Sequence, residues 1–215
     1  MANRPVYMVL DKAPWVDVCS PAFEWSPGFA VSQKQKCIRS LHEAWTARFP
    51  GRRVLEISSK SFQPGGSELS AFHLMLNVPG TDLRVPVENA YQAGKVFLNG
   101  GPYPDLLTVS PREARRDPRL RTGSLLTGFS LGGQTYPVRP VSAYYDWLYL
   151  TALTQNPALA ATVLQYDGFT DIEFNPEKST STQARSAALF AALCRSGRIR
   201  PDAMPDFDTF LSLLR

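Results

Sequence analysis

Apolar positions along the first half of the chain mark out one long helix and several short strands. Ile38, Leu41, Ala44 and Trp45 share a helix face, opened by Ser32 with Gln35 three residues on and stopped by Pro50 and Gly51. That pattern predicts a helix over about 33–48 with a capping box at its start. VLEISS, 54–59, reads as a short strand, and Gly65 with Gly66 as a loop ahead of LSAFHLML. DLRVPV, 82–87, has strand character and runs directly into a helix, with Pro86 near the first turn where a missing N–H costs little. In that segment, VPVENAYQAGKVF, the residues Glu88, Tyr91, Gln92 and Lys95 take the i, i+3, i+4, i+7 positions that ordinarily hold apolar side chains. Val87, Ala90, Ala93, Gly94, Val96 and Phe97 fill the remainder, so a polar stripe lies among small and apolar neighbours.

The second half turns helical. Ser110, Pro111 and Glu113 form another N-terminal helix signature, and two apolar runs flank Gly132 and Gly133 as in a hairpin. SAYYDWLYLTALTQ, from Ser142, reads as an amphipathic helix; Asn156 and Pro157 start another that ends near Asp167 and Gly168. STQARSAALFAALCRSG is an alanine-rich helix closed by Gly197, and a last helix runs from Asp206 to the C-terminus. With no internal repeat and no low-complexity linker, these elements predict a single α+β domain, mostly α-helical, with a few short strands.

Composition agrees with one domain: 215 residues, 44% of them hydrophobic, suffice for a real core. The N-terminus has no charged segment followed by a sustained apolar one, and no run approaches a membrane span, so a cytoplasmic protein without membrane contact is expected. Cys19, Cys37 and Cys194 lie far apart, with His42 and His73 as the two histidines; free, mostly buried thiols are expected rather than a zinc site. The net charge of +4 is mild but uneven, because Arg112, Arg115, Arg116, Arg119 and Arg121 cluster within SPREARRDPRLR. Such a cluster either complements phosphates or is a solvated helix face.

Four segments combine polarity with small or apolar neighbours: EISSKS, LSAF, VPVENAYQAGK and FTDIEFNPEKSTSTQARSAALF. Together they resemble the NADAR family, the YbiA-like N-glycosidases, and within it the antitoxins encoded beside DarT-type DNA ADP-ribosyltransferases. LSAF, 69–72, stands for the family's Ser-Asn-Phe element, and PVENAYQAGKVF for its Pro-x-x-Glu-His-x-x-Gln-x-x-Lys-Phe helix. DIEFNPEKS and QARSAALF stand for its acidic loop and following helix. The resemblance covers about 55–195 as the family core, with 1–54, including FEWSPGFAVSQKQK, as the antitoxin branch's N-terminal extension and helix, and 196–215 as a C-terminal helix. Ala71 replaces the usual asparagine and Asn89 the usual histidine. The resemblance implies removal of ADP-ribose from the amino group of guanine bases in DNA, releasing ADP-ribose, with a cognate DarT-type toxin as a further expected partner and with no cofactor and no metal. An N-glycosidase for a small phosphorylated ribosyl metabolite, and a non-enzymatic antitoxin that binds its toxin, are the alternatives.

Cleaving a ribose C1–nitrogen bond builds positive charge on the sugar and negative charge on the departing base, so a carboxylate and an acid or cation are needed. Glu88 is the expected principal catalytic carboxylate; a first-turn glutamate favoured by the helix dipole is the plain alternative. Lys60, at the end of a predicted strand, is the expected second catalytic residue, through an imine with opened ribose or as a cation, with Lys36, Lys95 and Lys178 as competitors. Arg185 and the N–H groups near Thr182 to Arg185 suit a diphosphate, unless Arg185 pairs with Glu173 or Glu177. Phe72, Tyr91 and Phe174 are candidates to stack on a base or ribose, and Asn175 and Gln183 to bond ribose hydroxyls. Ser70, Gln92, Lys95 and Lys178 complete the expected substrate-binding set. The acidic cluster Asp171, Glu173 and Glu177 does not have the spacing of a calcium loop.

Overall fold

The fold was read from a computed structural model that describes residues 1–175 and 181–214. The strands are β1 (Ala2–Asn3), β2 (Val6–Val9), β3 (Val16–Cys19), β4 (Ala22–Phe23), β5 (Val54–Glu56), β6 (Met75–Asn77), β7 (Arg84–Pro86), β8 (Lys95–Phe97), β9 (Leu126–Leu131), β10 (Gln134–Tyr136) and β11 (Gly168–Thr170). The helices are α1 (Val31–Arg48), α2 (Val87–Ala93), α3 (Pro111–Arg116), α4 (Ala143–Thr154), α5 (Pro157–Val163), α6 (Gln183–Arg195) and α7 (Phe207–Leu213).

The main sheet has the order β3-β2-β11-β5; β11 runs antiparallel to β2 and parallel to β5, with Phe169 opposite both Tyr7 and Leu55. Side chains alternate across β2 as a strand requires. Val6 and Met8 join Ile38, Leu41 and Trp45 of α1 in one apolar cluster, whereas Tyr7 and Val9 join α4 and α6 in the other. The sheet is thus covered on both faces, by α1 and by α6, and these layers form one α+β domain. A second sheet, β10-β9-β8, and the hairpin β6-β7 flank the helical layer.

Several expectations hold in detail. Ser110 accepts from the Glu113 N–H while the Glu113 side chain accepts from the Ser110 N–H, a complete capping box at the start of α3. The hairpin turns at Gly132 and Gly133, both at positive φ, and α6 is followed by Gly197 at φ 70°. The three cysteines are free, Cys19 and Cys37 buried. No helix among the described residues is long and apolar enough to cross a membrane.

Other expectations need correction. Ser32 does not cap α1: the helix begins at Val31, behind Ala30, which offers no side-chain acceptor. The helix read through Lys95 ends at Ala93, because the Gly94 carbonyl accepts the Ser130 N–H at 2.7 Å and draws Lys95–Phe97 into a strand beside β9. A Cβ at Gly94 would lie 2.7 Å from the Tyr144 hydroxyl, so only glycine permits this close approach. The α4 segment is not amphipathic; every residue of Ala143–Thr154 except Thr151 is buried, making it the central helix of the domain. The strands of residues 2–23 and β11 lie outside the elements expected from the sequence.

One buried polar chain ties α1 to the sheet. His42 Nε2 lies 2.8 Å from Thr170 Oγ1, which donates to Glu56 Oε2 at 2.6 Å, so the imidazole is the N–H donor through Nε2. Glu56 is fully buried and its other oxygen accepts the Ile172 N–H at 2.8 Å. Burial pushes the His42 pKa down to about 4. Below about pH 6.5 the unfolded chain takes a proton that folded His42 refuses, so stability falls as pH drops from there towards 4. Chemical denaturation at pH 7 and pH 4.5 is expected to give a drop smaller by roughly 2–3 kcal/mol in His42→Gln, which keeps a donor to Thr170 but cannot titrate. Equal drops in both proteins would remove His42 as the cause.

Candidate active site around Glu88

Helix α2 is only seven residues long and begins where β7 ends, with Pro86 at its N-cap. Its first turn is fastened from outside: the Glu88 N–H donates to Ala71 O at 2.9 Å and the Val87 N–H to Leu74 O at 3.0 Å. The Ala71 N–H in turn donates to Gln183 Oε1 at 2.7 Å, and Gln183 Nε2 reaches both Ile57 O (2.7 Å) and Asp171 Oδ2 (3.0 Å). Gln183 therefore spends its amide joining the LSAF turn, the end of β5 and the segment after β11. Those bonds occupy the groups that a ribose contact would use. Ser70 is buried, with Oγ accepting the Phe72 N–H at 3.4 Å.

Glu88 itself is buried, 6% exposed, and Gln92 Nε2 donates to its Oε1 at 2.9 Å. Burial raises the Glu88 pKa, opposed by the Arg115 charge, the Gln92 hydrogen bond and the Lys95 charge in that order. Lys95, although in β8 rather than on the helix, sets its Nζ 4.7 Å from the Tyr91 ring centroid. Enclosure lowers the Lys95 pKa against the raising effect of Glu88. Burial pushes the Tyr91 phenol up to about 12, opposed by a hydrogen bond with Ser181.

Tyr91, one turn beyond Glu88, packs edge-on to Tyr145 with centroids 5.1 Å apart and lies 5.7 Å from the Phe129 ring. The same tyrosine walls a cavity of about 590 Å³ together with Leu126, Phe129, Val138, Tyr144 and Tyr145. That volume and lining suit a planar organic ring. Leu125 and Val141, both exposed, stand at its rim.

The structure thus joins Glu88, Tyr91, Gln92 and Lys95, and adds Phe72 through Arg115, whose guanidinium lies 5.8 Å from the Phe72 centroid. Lys60 is half-buried on the turn after β5, with its N–H on Ser58 Oγ at 3.2 Å. Lys36 is exposed on α1. Arg185 pairs with buried Asp146, not with Glu173, and Ser186 Oγ donates to the other Asp146 oxygen at 2.6 Å. Glu173 instead pairs with Lys34 at 3.3 Å. Phe174 and Asn175 are half-buried, and Lys178 and Glu177 lie outside the described residues. Of the acidic cluster, Asp171 turns inward to Gln183, Glu173 pairs with Lys34, and Glu177 lies outside the described residues. The enclosed Asp171 carboxyl is raised by burial and then by the charge of nearby Glu56. Among the described residues no group of three or more His, Cys, Asp or Glu side chains is placed to hold a metal ion.

Sequence reasoning missed Asp146, Glu56 and Arg115 as members of polar networks. The five-arginine cluster is also not one surface. Arg119 is held by Asp105 and Asp117, and Arg115 lies 4.0 Å from Glu88, while Arg112, Arg115, Arg116 and Arg121 are all exposed. No curated protein matches the chain. A family model described as NADAR-DarT1, DarT1-associated NADAR antitoxin, matches residues 2–215.

Proposed function

The chain belongs to the DarT1-associated NADAR antitoxins, and from that membership we propose that it hydrolyses the bond between ribose C1 and the amino nitrogen of guanine in ADP-ribosylated DNA. The observation that carries this reading is a buried carboxylate, Glu88, flanked by Lys95 and Arg115 and one helical turn from Tyr91, which walls an aromatic cavity. In the proposed reaction Glu88 faces the cationic sugar as the C1–N bond stretches and directs water to C1. The two charges beside it oppose the effect of burial on the carboxylate. The cavity past Tyr91 accepts a planar ring, and exposed arginines meet the DNA backbone. Release of ADP-ribose and unmodified guanine would reverse the action of a DNA ADP-ribosyltransferase, which is the antitoxin's task in this reading.

A smaller substrate is the second reading, a phosphorylated ribosyl metabolite, and one observation favours it. With Arg119 tied to two aspartates and Arg115 to Glu88, fewer arginines face a polyanion than the sequence suggests. The test is incubation with ADP-ribosylated guanine DNA and, separately, with phosphorylated ribosylamines, followed by mass analysis. Free ADP-ribose and restored guanine are expected from the DNA. Turnover of the ribosylamine alone would move the assignment to the metabolite, and turnover of neither would leave an antitoxin that works by binding its toxin.

A further inference from the structure

Arg115 belongs by sequence to a run of arginines, yet its surroundings separate it from that run. Its Nε lies 4.0 Å from Glu88 Oε1 and its guanidinium caps the Phe72 ring at 5.8 Å. Neither contact is an accident of a long side chain on a loose segment. Helix α3, which carries Arg115, is fixed at its start by the Ser110–Glu113 capping box and at its middle by Ala114, buried with Ala93 and Leu106. Asn89, the residue after Glu88, donates its amide to both Leu106 O and Val109 O at 2.8 Å each, fastening the approach to α3 onto α2. The departure at Asn89 from the histidine of the wider family thus has a structural job here, tying the approach to α3 onto α2.

We propose that Arg115 is a positioning residue for Glu88, orienting the buried carboxylate and favouring its charged form for the reaction. This rests on the assignment of Glu88 as the working carboxylate. Four elements present groups to Glu88: Arg115 from α3, Lys95 from β8, Gln92 and Tyr91 from α2 itself, and Tyr145 from α4. Of these, Arg115 opposes the effect of burial most strongly. Lys95 cannot replace it, because that ammonium is itself half-buried and is pushed towards neutrality by enclosure and by Arg115. Removing Arg115 therefore raises the pKa of Glu88, so the acid limb of a pH profile moves towards higher pH. A DNA-phosphate contact, the other use for a guanidinium 61% exposed, would act on binding of DNA and move neither limb.

The experiment compares Arg115→Gln and Arg115→Lys with the unaltered protein in kcat/KM against pH, on ADP-ribosylated guanosine and on ADP-ribosylated guanine DNA. Arg115→Gln is expected to lose roughly tenfold on the acid side with both substrates and to recover at alkaline pH, and Arg115→Lys to restore most of the acid side. A loss confined to DNA and to KM, with an unmoved profile, overturns the proposal. Titration of the Glu88 carboxyl by carbon-13 NMR, with Glu88→Gln to assign the signal, reads the same effect without turnover. An unshifted Glu88 titration in Arg115→Gln overturns the proposal even if the protein hydrolyses neither substrate, and a shifted titration in an inactive protein supports it while the functional reading fails.

Discussion

Glu88→Gln is expected to lower turnover of ADP-ribosylated guanine by on the order of a hundredfold or more while leaving the fold intact. The replacement keeps the shape of the side chain, and its carbonyl oxygen still accepts the Gln92 N–H that Glu88 Oε1 accepts now. What it removes is charge and proton affinity. An amide cannot oppose positive charge on the sugar, nor take a proton from water, and these are the contributions the carboxylate makes as the C1–N bond breaks. Stability should move little, because the cost of holding a carboxylate out of water disappears along with the attraction to Arg115 and Lys95. Thermal melts alongside steady-state rates separate the two effects. A folded Glu88→Gln protein with near-normal rates would leave Glu88 as an ordinary first-turn glutamate and remove the basis for the proposed reaction.

What could be read from the sequence was local, and what could not was set by distant partners. The Ser110 capping box, the Gly132–Gly133 hairpin and the strand that enters α2 at Pro86 each depend on neighbours within a few residues, and each stands in the structure as expected. The Ser32–Gln35 pair carried the same kind of signal and failed, since nothing in four residues reveals that the helix already starts at Val31. Lys95 left the helix because a carbonyl at Gly94 meets an N–H at Ser130, a pairing with no local trace. β2 is a central strand of only four residues whose partners are β3 close by and β11 about 160 residues away, so its role appears only in the folded sheet.

The site divides in the same way. The polar stripe of α2, with the resemblance it carries, pointed to Glu88, Tyr91 and Gln92, and the fold brings these together with Lys95. Asp146 looked like one acid in an apolar helix; its burial against Arg185 and Ser186 needed α6 to be packed on α4. The arginine run leaves both of its readings open, because adjacency in sequence is not adjacency in space. In a six-residue helix followed by a tight turn, residues 115 and 119 point to different acids, one to Glu88 and the other to Asp105 and Asp117.

The lysine that serves the reaction is expected to be Lys95, and its loss should match that of Glu88. Lys60 has the advantage in sequence of ending a strand, and Lys95 the advantage that its charge acts on Glu88. Half-burial also lowers the Lys95 pKa, which increases the share of neutral amine available as a nucleophile. If Nζ adds to C1 of the opened ribose, the guanine nitrogen departs with a proton and an imine joins lysine to ADP-ribose; water then hydrolyses that imine and frees the lysine. Borohydride added during turnover delivers hydride to the C=N bond and leaves a stable secondary amine, so peptide mapping should find ADP-ribose on Lys95. Lys95→Arg keeps the positive charge over Tyr91 but cannot form the imine, and a loss on the order of a hundredfold or more is expected. An adduct on Lys60 would return the nucleophile to the turn after β5. No adduct, with Lys95→Arg active, would mean that water attacks C1 directly under Glu88 and that Lys95 contributes its charge alone.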